Sequence, residues 1–120
     1  MRRAIQLATL GDGYTSPNPV VGAVVLDKNG QLVGESFHPF AGGPHAEVRA
    51  LSQAGKNAKG GTLIVTLEPC PMCAGALIQA RLGKVIFAAS DYKRGALGGS
   101  LDLANHQSAH HKMKIIHGVK

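Results

Sequence analysis

The feature that most constrains the fold is a strand, a helix and a second strand joined by very short connections. Residues 62–67 form an apolar, β-branched run, residues 71–80 have helical spacing after a proline, and residues 84–89 are again apolar. Strands linked in this way are typical of a right-handed parallel crossover. The middle of the chain therefore predicts a parallel strand pair covered by a helix.

Three other segments complete a predicted sheet. Residues 20–27 and 31–37 are joined by Lys28-Asn29-Gly30, which favours a hairpin because Asn and Gly accept positive φ. Residues 113–119 are typical of an edge strand, and the connection before them is long enough for a second parallel crossover. Together these segments predict an α/β fold with a mixed five-stranded sheet.

Helical spacing predicts the elements that flank this sheet. Residues 2–10 have apolar residues at helical intervals, and a second helix runs from Pro44 to Ala54, where Gly55 ends it. A further short helix is expected near residues 100–104. With 120 residues and 12.4 kDa, the chain is expected to form a single domain over residues 1–120.

Charge and composition narrow the classes of function. The net charge of +6 favours phosphorylated or nucleic-acid substrates, although a basic surface without a partner is equally compatible with it. An aromatic content of 4% without tryptophan disfavours a module that binds nucleic acid by stacking. No apolar run approaches the roughly 18 residues of a membrane span, so we expect no membrane association and a cytoplasmic location.

Two motifs at predicted helix starts carry the chemistry. One is His45-Ala46-Glu47, and the other is Pro69-Cys70-Pro71-Met72-Cys73, directly after a strand. Cysteines three residues apart project from one helical turn, where the helix dipole stabilises thiolates. One imidazole and two thiolates form a ligand set typical of Zn²⁺.

The number of ligands distinguishes a catalytic from a structural zinc site. Three protein ligands, His45, Cys70 and Cys73, leave a fourth position for water, as catalytic zinc sites do. Glu47 lies two residues from His45 and is placed to take a proton from that water and deliver it to the substrate. A redox pair or half of a zinc ribbon is the alternative for two cysteines alone, but neither explains the separate His-x-Glu motif.

The paired motifs H-x-E and P-C-x-x-C resemble the zinc nucleobase deaminases, and the chain resembles the cytidine deaminase superfamily over essentially its whole length. This resemblance implies a three-layer α/β/α cytidine deaminase-like fold. Residues 1–69, with TSPNP at 15–19 and GGPHAEV at 42–48, resemble the deaminase domain of riboflavin biosynthesis. In that family Asn18 and His38 would face the pyrimidine substrate.

The second half of the chain resembles a different branch of the superfamily. Residues 66–120, with TLEPCPMCAGALI at 66–78 and GALGGS at 95–100, resemble the bacterial tRNA adenosine deaminases. In that branch Asp91 and Lys93 would lie beside the flipped base. The riboflavin-type enzymes usually separate the two cysteines by a longer insertion, whereas the tRNA enzymes usually have Asn at position 38 and a longer C-terminal helix.

The resemblance implies Zn²⁺-dependent hydrolysis of an exocyclic amine. The favoured substrate is adenosine in RNA, which would be converted to inosine during tRNA processing. The alternatives are diaminohydroxyphosphoribosylaminopyrimidine, an intermediate of riboflavin biosynthesis, and a non-catalytic zinc-stabilised binding module. The expected partners are a nucleobase-containing substrate, with tRNA or single-stranded nucleic acid as its carrier, and a second copy of the chain in a homodimer.

Several polar residues have a simpler structural interpretation. Asn18 between two prolines is typical of a tight turn, and His38 could be an ordinary polar residue at a strand end. Lys93 is equally compatible with an exposed turn. Glu68 directly precedes Pro69 at the end of a buried strand, and we expect its carboxylate to bind backbone amides or the neighbouring loop rather than to act as a second acid.

Overall fold

The computed structural model describes residues 1–10, 21–38, 45–90, 95–99, 102–103 and 111–118. Three helices and five strands lie in these ranges. The helices are α1 (Arg2–Thr9), α2 (Ala46–Ala54) and α3 (Pro71–Gln79), and a 3-10 turn (Gly55–Ala58) follows α2. The strands are β1 (Gly22–Leu26), β2 (Leu32–Phe37), β3 (Thr62–Leu67), β4 (Lys84–Ala89) and β5 (Lys114–His117).

The five strands form one mixed sheet in the order β2-β1-β3-β4-β5. Strand β1 pairs antiparallel with both β2 and β3, whereas β3 pairs parallel with β4 and β4 pairs parallel with β5. The predicted hairpin, the β3–α3–β4 crossover and the parallel edge strand β5 are therefore confirmed.

Successive side chains of a strand point to opposite faces of the sheet, and different helices pack on each face. Val24 on β1 packs with Ala4 and Leu7 of α1 on one face. Its neighbour Val25 points to the other face, into a core that includes Ala50 of α2 as well as α3. Helices therefore cover both faces, which confirms the three-layer α/β/α arrangement.

Glycines in β1 and β2 let two helices approach the sheet closely. A Cβ on Gly22 would collide with the carbonyl oxygen of Ala4 in α1, and a Cβ on Gly34 would collide with that of Ala50 in α2. The glycine at position 34 thus lets α2, which begins directly after His45, lie close to β2.

The segment after β4 differs from its prediction. Within the described residues 102–103 there is no helix, because Asp102 forms an antiparallel bridge with Leu97. Gly98 has a φ of 120°, which reverses the chain between them. The other residues of the predicted 100–104 helix lie outside the described part. Among the described helices, none has the length and apolar character needed to cross a membrane.

Candidate metal centre

Two of the three predicted zinc ligands are the residues that immediately precede a helix. His45 is the N-cap of α2 and Cys70 is the N-cap of α3, both with extended backbone. Their carbonyl oxygens accept the first helical hydrogen bonds, from the amides of Arg49 and Ala74. Pro71 occupies the first turn of α3, where its fixed φ suits a helix start. The helix starts thus hold both side chains at one end of the sheet.

The side chains of His45, Cys70 and Cys73 meet in one cluster. The Nδ1 atom of His45 is 3.2 Å from Sγ of Cys73 and 3.7 Å from Sγ of Cys70. All three ligand atoms lie within 4.8 Å of one another. With Zn–S bonds of about 2.3 Å and Zn–N bonds of about 2.0 Å, nitrogen and sulfur ligands of a tetrahedral zinc are roughly 3.5 Å apart. The donor set and its spacing therefore fit zinc.

Glu47 projects from the first turn of α2 into this cluster. Its side chain is 5% exposed and forms a hydrogen bond with the Cys73 thiol. Burial raises the pKa of Glu47, and hydrogen bonds from its own backbone and from Cys73 oppose that rise. Burial, followed by the charges of Glu47 and Cys70, raises the pKa of Cys73. A bound divalent cation would oppose the rise in the pKa of both Glu47 and Cys73, because a thiol that coordinates a metal is deprotonated.

His38 also belongs to this region. It follows β2, is 5% exposed, and its ring packs edge-on against the ring of His45 with 5.5 Å between centroids. Its backbone amide donates to the carbonyl oxygen of Val21. His38 is therefore a buried neighbour of the metal cluster, not a surface residue at a strand end.

Arg49 supports this arrangement, and the sequence analysis did not identify it. It lies one helical turn after His45, and its guanidinium donates to the carbonyl oxygen of Phe37 at 3.2 Å. The same group packs over the Phe37 ring, 5.8 Å from the centroid. Arg49 thus ties the start of α2 to the end of β2. The sequence signal for this role is the arginine four residues after the histidine of the H-x-E motif, because residues four apart lie on the same face of a helix.

Glu68 has the role expected from the sequence. Its Oε2 atom accepts hydrogen bonds from the amides of Leu97, at 2.9 Å, and Gly99, at 2.8 Å. The side chain is 3% exposed. This prediction is confirmed, and the carboxylate binds the segment after β4.

Three of the predicted substrate contacts are not among the described residues. Asn18, Asp91 and Lys93 lie outside the part of the chain that the structure describes. Of the four, His38 is the one whose position is known, and it is beside the metal cluster.

A half-buried histidine, two cysteines and a buried neighbouring glutamate at the end of an α/β/α sheet define the class of zinc hydrolases that use three protein ligands. Residues 1–89 match the family model described as the cytidine and deoxycytidylate deaminase zinc-binding region. The chain belongs to this family. It is therefore a zinc-binding deaminase domain, and membership disfavours the non-catalytic zinc module considered from the sequence.

Two branches of this family are represented among the relatives and solved structures. Riboflavin biosynthesis protein RibD of Haemophilus influenzae is 51% identical over 109 residues, which are 86% of this chain and 29% of the relative. A diaminohydroxyphosphoribosylaminopyrimidine deaminase/5-amino-6-(5-phosphoribosylamino)uracil reductase of Thermotoga maritima has a TM-score of 0.82 and 37% identity, covering 99% of this chain and 35% of that one. The chain thus spans about a third of these proteins or less.

The other branch is represented by a tRNA:A34 deaminase, which carries out A-to-I editing at the wobble position of transfer RNA. Its TM-score is 0.79 at 26% identity, and the alignment covers 98% of both chains. Identity is therefore considerably higher to the riboflavin-type proteins. The comparisons favour the pyrimidine alternative over the adenosine substrate that the sequence analysis preferred.

Proposed function

We propose that this chain is a deaminase domain acting on diaminohydroxyphosphoribosylaminopyrimidine. The observation that carries the proposal is the 51% identity to the riboflavin biosynthesis protein RibD across 86% of the chain. In the reaction, water replaces the exocyclic amine of the ring with oxygen and ammonia leaves. A net charge of +6 also favours a phosphorylated substrate.

His45, Cys70 and Cys73 would hold the zinc ion. Their ligand atoms lie within 4.8 Å of one another, at spacings that suit tetrahedral zinc. Zinc bound by three protein ligands supplies a water nucleophile that is active at neutral pH. The two helix starts keep the ligands in place, so little rearrangement is needed for the metal to bind.

Glu47 would move the protons of the reaction. Its carboxylate lies against Cys73 and is shielded from solvent, two residues after His45. From this position it would accept one proton from the attacking water and pass it to the ring nitrogen. It would then take the second proton from the hydroxyl on the ring carbon and pass it to the amine, which departs as ammonia. The buried setting favours the protonated form that the last step requires.

His38 would form one wall of the substrate pocket. Its ring contacts the ring of His45 edge-on and therefore lies next to the predicted ligand of the metal. The resemblance of residues 1–69 assigns His38 and Asn18 to the pyrimidine. We propose that His38 contacts the substrate ring, and that Asn18 contributes from the segment before β1.

A second candidate substrate is adenosine in tRNA. The observation in its favour is the likeness to the tRNA:A34 deaminase, which extends over 98% of both chains. It agrees with the Cys70–Cys73 spacing and with the resemblance of residues 66–120. Under this alternative, Asp91 and Lys93 would contact the flipped base.

The two substrates are distinguished by ammonia release from the zinc-loaded protein. One assay contains diaminohydroxyphosphoribosylaminopyrimidine and the other an anticodon stem-loop with adenosine at the wobble position. Turnover of the pyrimidine alone is expected. Turnover of the stem-loop alone would replace the proposal with the adenosine alternative, and turnover of neither would overturn both.

The assembly expected from the resemblance is a homodimer. It stays a prediction for this chain. Sedimentation velocity of the zinc-loaded protein would test it, with a mass near twice 12.4 kDa as the expected result.

A further inference from the structure

The corner between β3 and α3 holds the segment that follows β4. The Glu68 carboxylate accepts the amides of Leu97 and Gly99, and the carbonyl oxygen of Pro69 accepts the amide of Ala96 at 2.9 Å. Two adjacent residues of the corner therefore bind three amides of one short segment. Cys70 comes directly after this pair in the chain.

The same corner also holds the end of β4. The backbone amide of Glu68 donates to the carbonyl oxygen of Ala89 at 2.9 Å. Ala89 is the last residue of β4, and Ala96 lies on the far side of the connection that follows it. Both ends of the connection between Ala89 and Ala96 are thus attached to Glu68 and Pro69.

The local backbone is shaped to receive a carboxylate. Gly98 has a φ of 120°, and the amides on either side of it, of Leu97 and Gly99, converge on one oxygen atom of Glu68. Successive amides around a residue of positive φ form a concave anion-binding arrangement. The turn is closed by the amide of Leu103, which donates to Ala96 at 2.8 Å.

Because the Glu68 side chain is buried, loss of its hydrogen bonds would cost more free energy than loss of the same bonds at the surface. Glu68 is 3% exposed, so removal of its carboxylate would leave two amides without their acceptor in a site shielded from water. Hydrogen bonds to an ionised acceptor are about twice as strong as those between neutral groups. The attachment therefore depends on this side chain more than on an exposed contact.

We propose that Glu68 is a positioning residue, which fixes residues 96–99 relative to the metal ligand Cys70 and thereby aligns substrate. The inference rests on the proposed function, because it gives Glu68 a part in aligning the substrate of that same site. Glu68 acts through the backbone of residues 96–99. It does not exchange protons with the substrate.

The test compares steady-state kinetics of three variants of the zinc-loaded protein with the better of the two substrates. Glu68→Ala is expected to raise KM about tenfold while kcat falls less than about threefold, because substrate alignment is lost and the proton carrier is intact. Glu68→Gln keeps an acceptor oxygen and should restore KM to within about threefold. Glu35→Gln, at an exposed glutamate, is the matched control and should leave KM unchanged.

Amide hydrogen exchange provides a readout that needs no turnover. Glu68→Ala should accelerate exchange at Leu97 and Gly99, whose amides it releases, while zinc content stays at that of the unsubstituted protein. If Glu68→Ala fails to fold, Glu68→Asp preserves the charge but withdraws it by one methylene, and the same rise in KM is expected.

The outcomes separate this inference from the proposed function. Lack of turnover by the unsubstituted protein with both substrates would overturn the proposed function and the alignment role with it. Normal turnover with an unchanged KM in the folded Glu68 variant would overturn the inference alone. So would a rise in KM that appears only together with loss of zinc, because Glu68 would then act on the metal.

Discussion

The start of α2 and the corner before α3 are built alike but use their glutamates differently. Glu47 lies two residues after the predicted ligand His45, and Glu68 lies two residues before the predicted ligand Cys70. Both side chains are nearly fully buried. Glu47 faces the thiol of Cys73, whereas Glu68 faces the backbone amides of Leu97 and Gly99.

This difference teaches that the partners of a buried carboxylate decide its role more than its depth does. Amide donors stabilise an ionised carboxylate and occupy its lone pairs, which suits a fixed structural attachment. A carboxylate beside a thiol in a shielded site has a raised pKa, and it keeps an oxygen atom for proton transfer. The two glutamates should therefore respond differently to the same substitution.

The largest expected effect is on the rate of the reaction. Glu47→Gln should lower kcat by about 10²- to 10⁴-fold, because an amide cannot carry the protons. Zinc content and Tm should be maintained, since a neutral amide of equal size avoids burial of a charge. Ammonia release, metal analysis and thermal unfolding of the same preparation measure all three. A variant with kcat within threefold of the unsubstituted protein would remove Glu47 from the mechanism.

The sequence predicts the residues of the metal cluster more completely than it predicts the contacts of Glu68. The H-x-E and P-C-x-x-C spacings identify His45, Cys70, Cys73 and Glu47, because helix starts impose their geometry locally. Strand β3 was likewise predictable to the residue from its β-branched run.

Contacts between distant segments could not be derived in this way. The amide partners of Glu68 are 29 and 31 residues away in the chain. Within the described residues 102–103, a bridge of Asp102 with Leu97 stands where a helix was predicted, and spacing alone does not reveal the positive φ of Gly98. The contact of Arg49 with Phe37 likewise depends on how α2 lies on β2. The comparisons favour the riboflavin-type substrate over the adenosine that the second half of the sequence favours, because identity is 51% to RibD and 26% to the tRNA:A34 deaminase.

The second largest expected effect is on zinc affinity, and it compares two neighbouring residues of α3. Cys73 is fully buried, whereas the neighbouring Met72 is 62% exposed. Cys73→Ser should weaken zinc binding by more than about 100-fold, the upper range for residues that only support a ligand. Met72→Ser is the matched control in the same helical turn and should bind zinc normally. Competition with a chromophoric chelator measures both affinities, and equal values would exclude Cys73 as a ligand.

Alanine substitutions at two glycines should change the free energy of unfolding in opposite directions, one at the contact of β2 with α2 and the other within α3. Gly34→Ala would place a methyl group against the carbonyl of Ala50 in α2, and should lower the free energy of unfolding by roughly 1–3 kcal/mol. Gly75→Ala in α3 adds a methyl group with nothing within 4 Å, and should raise it by roughly 0.5–1 kcal/mol. Urea unfolding of the zinc-loaded variants measures both changes. Equal effects at the two glycines would show that α2 is not held by its contact with β2.

The smallest expected effect is at Glu35. This partly exposed glutamate provides a reference for the two buried glutamates, Glu47 and Glu68. Glu35 accepts two hydrogen bonds from Arg3, at 2.8 and 2.9 Å, and these lower its pKa. A lowered pKa in the folded state means that the stabilisation is present above the ordinary value of 4.5 and is lost as the pH falls below it. For Glu47 the direction of the pKa shift, and hence of this dependence, is opposite.

Glu35→Gln should therefore lower Tm at pH 7 by no more than about two degrees, and the difference from the unsubstituted protein should vanish towards pH 3. Effects of acid on the metal cluster are shared by both proteins and cancel in this difference. Added salt should reduce the difference at pH 7, because the pair is exposed. A difference that is unaffected by salt and persists at low pH would mean that Glu35 stabilises the β2 edge by packing and not by charge.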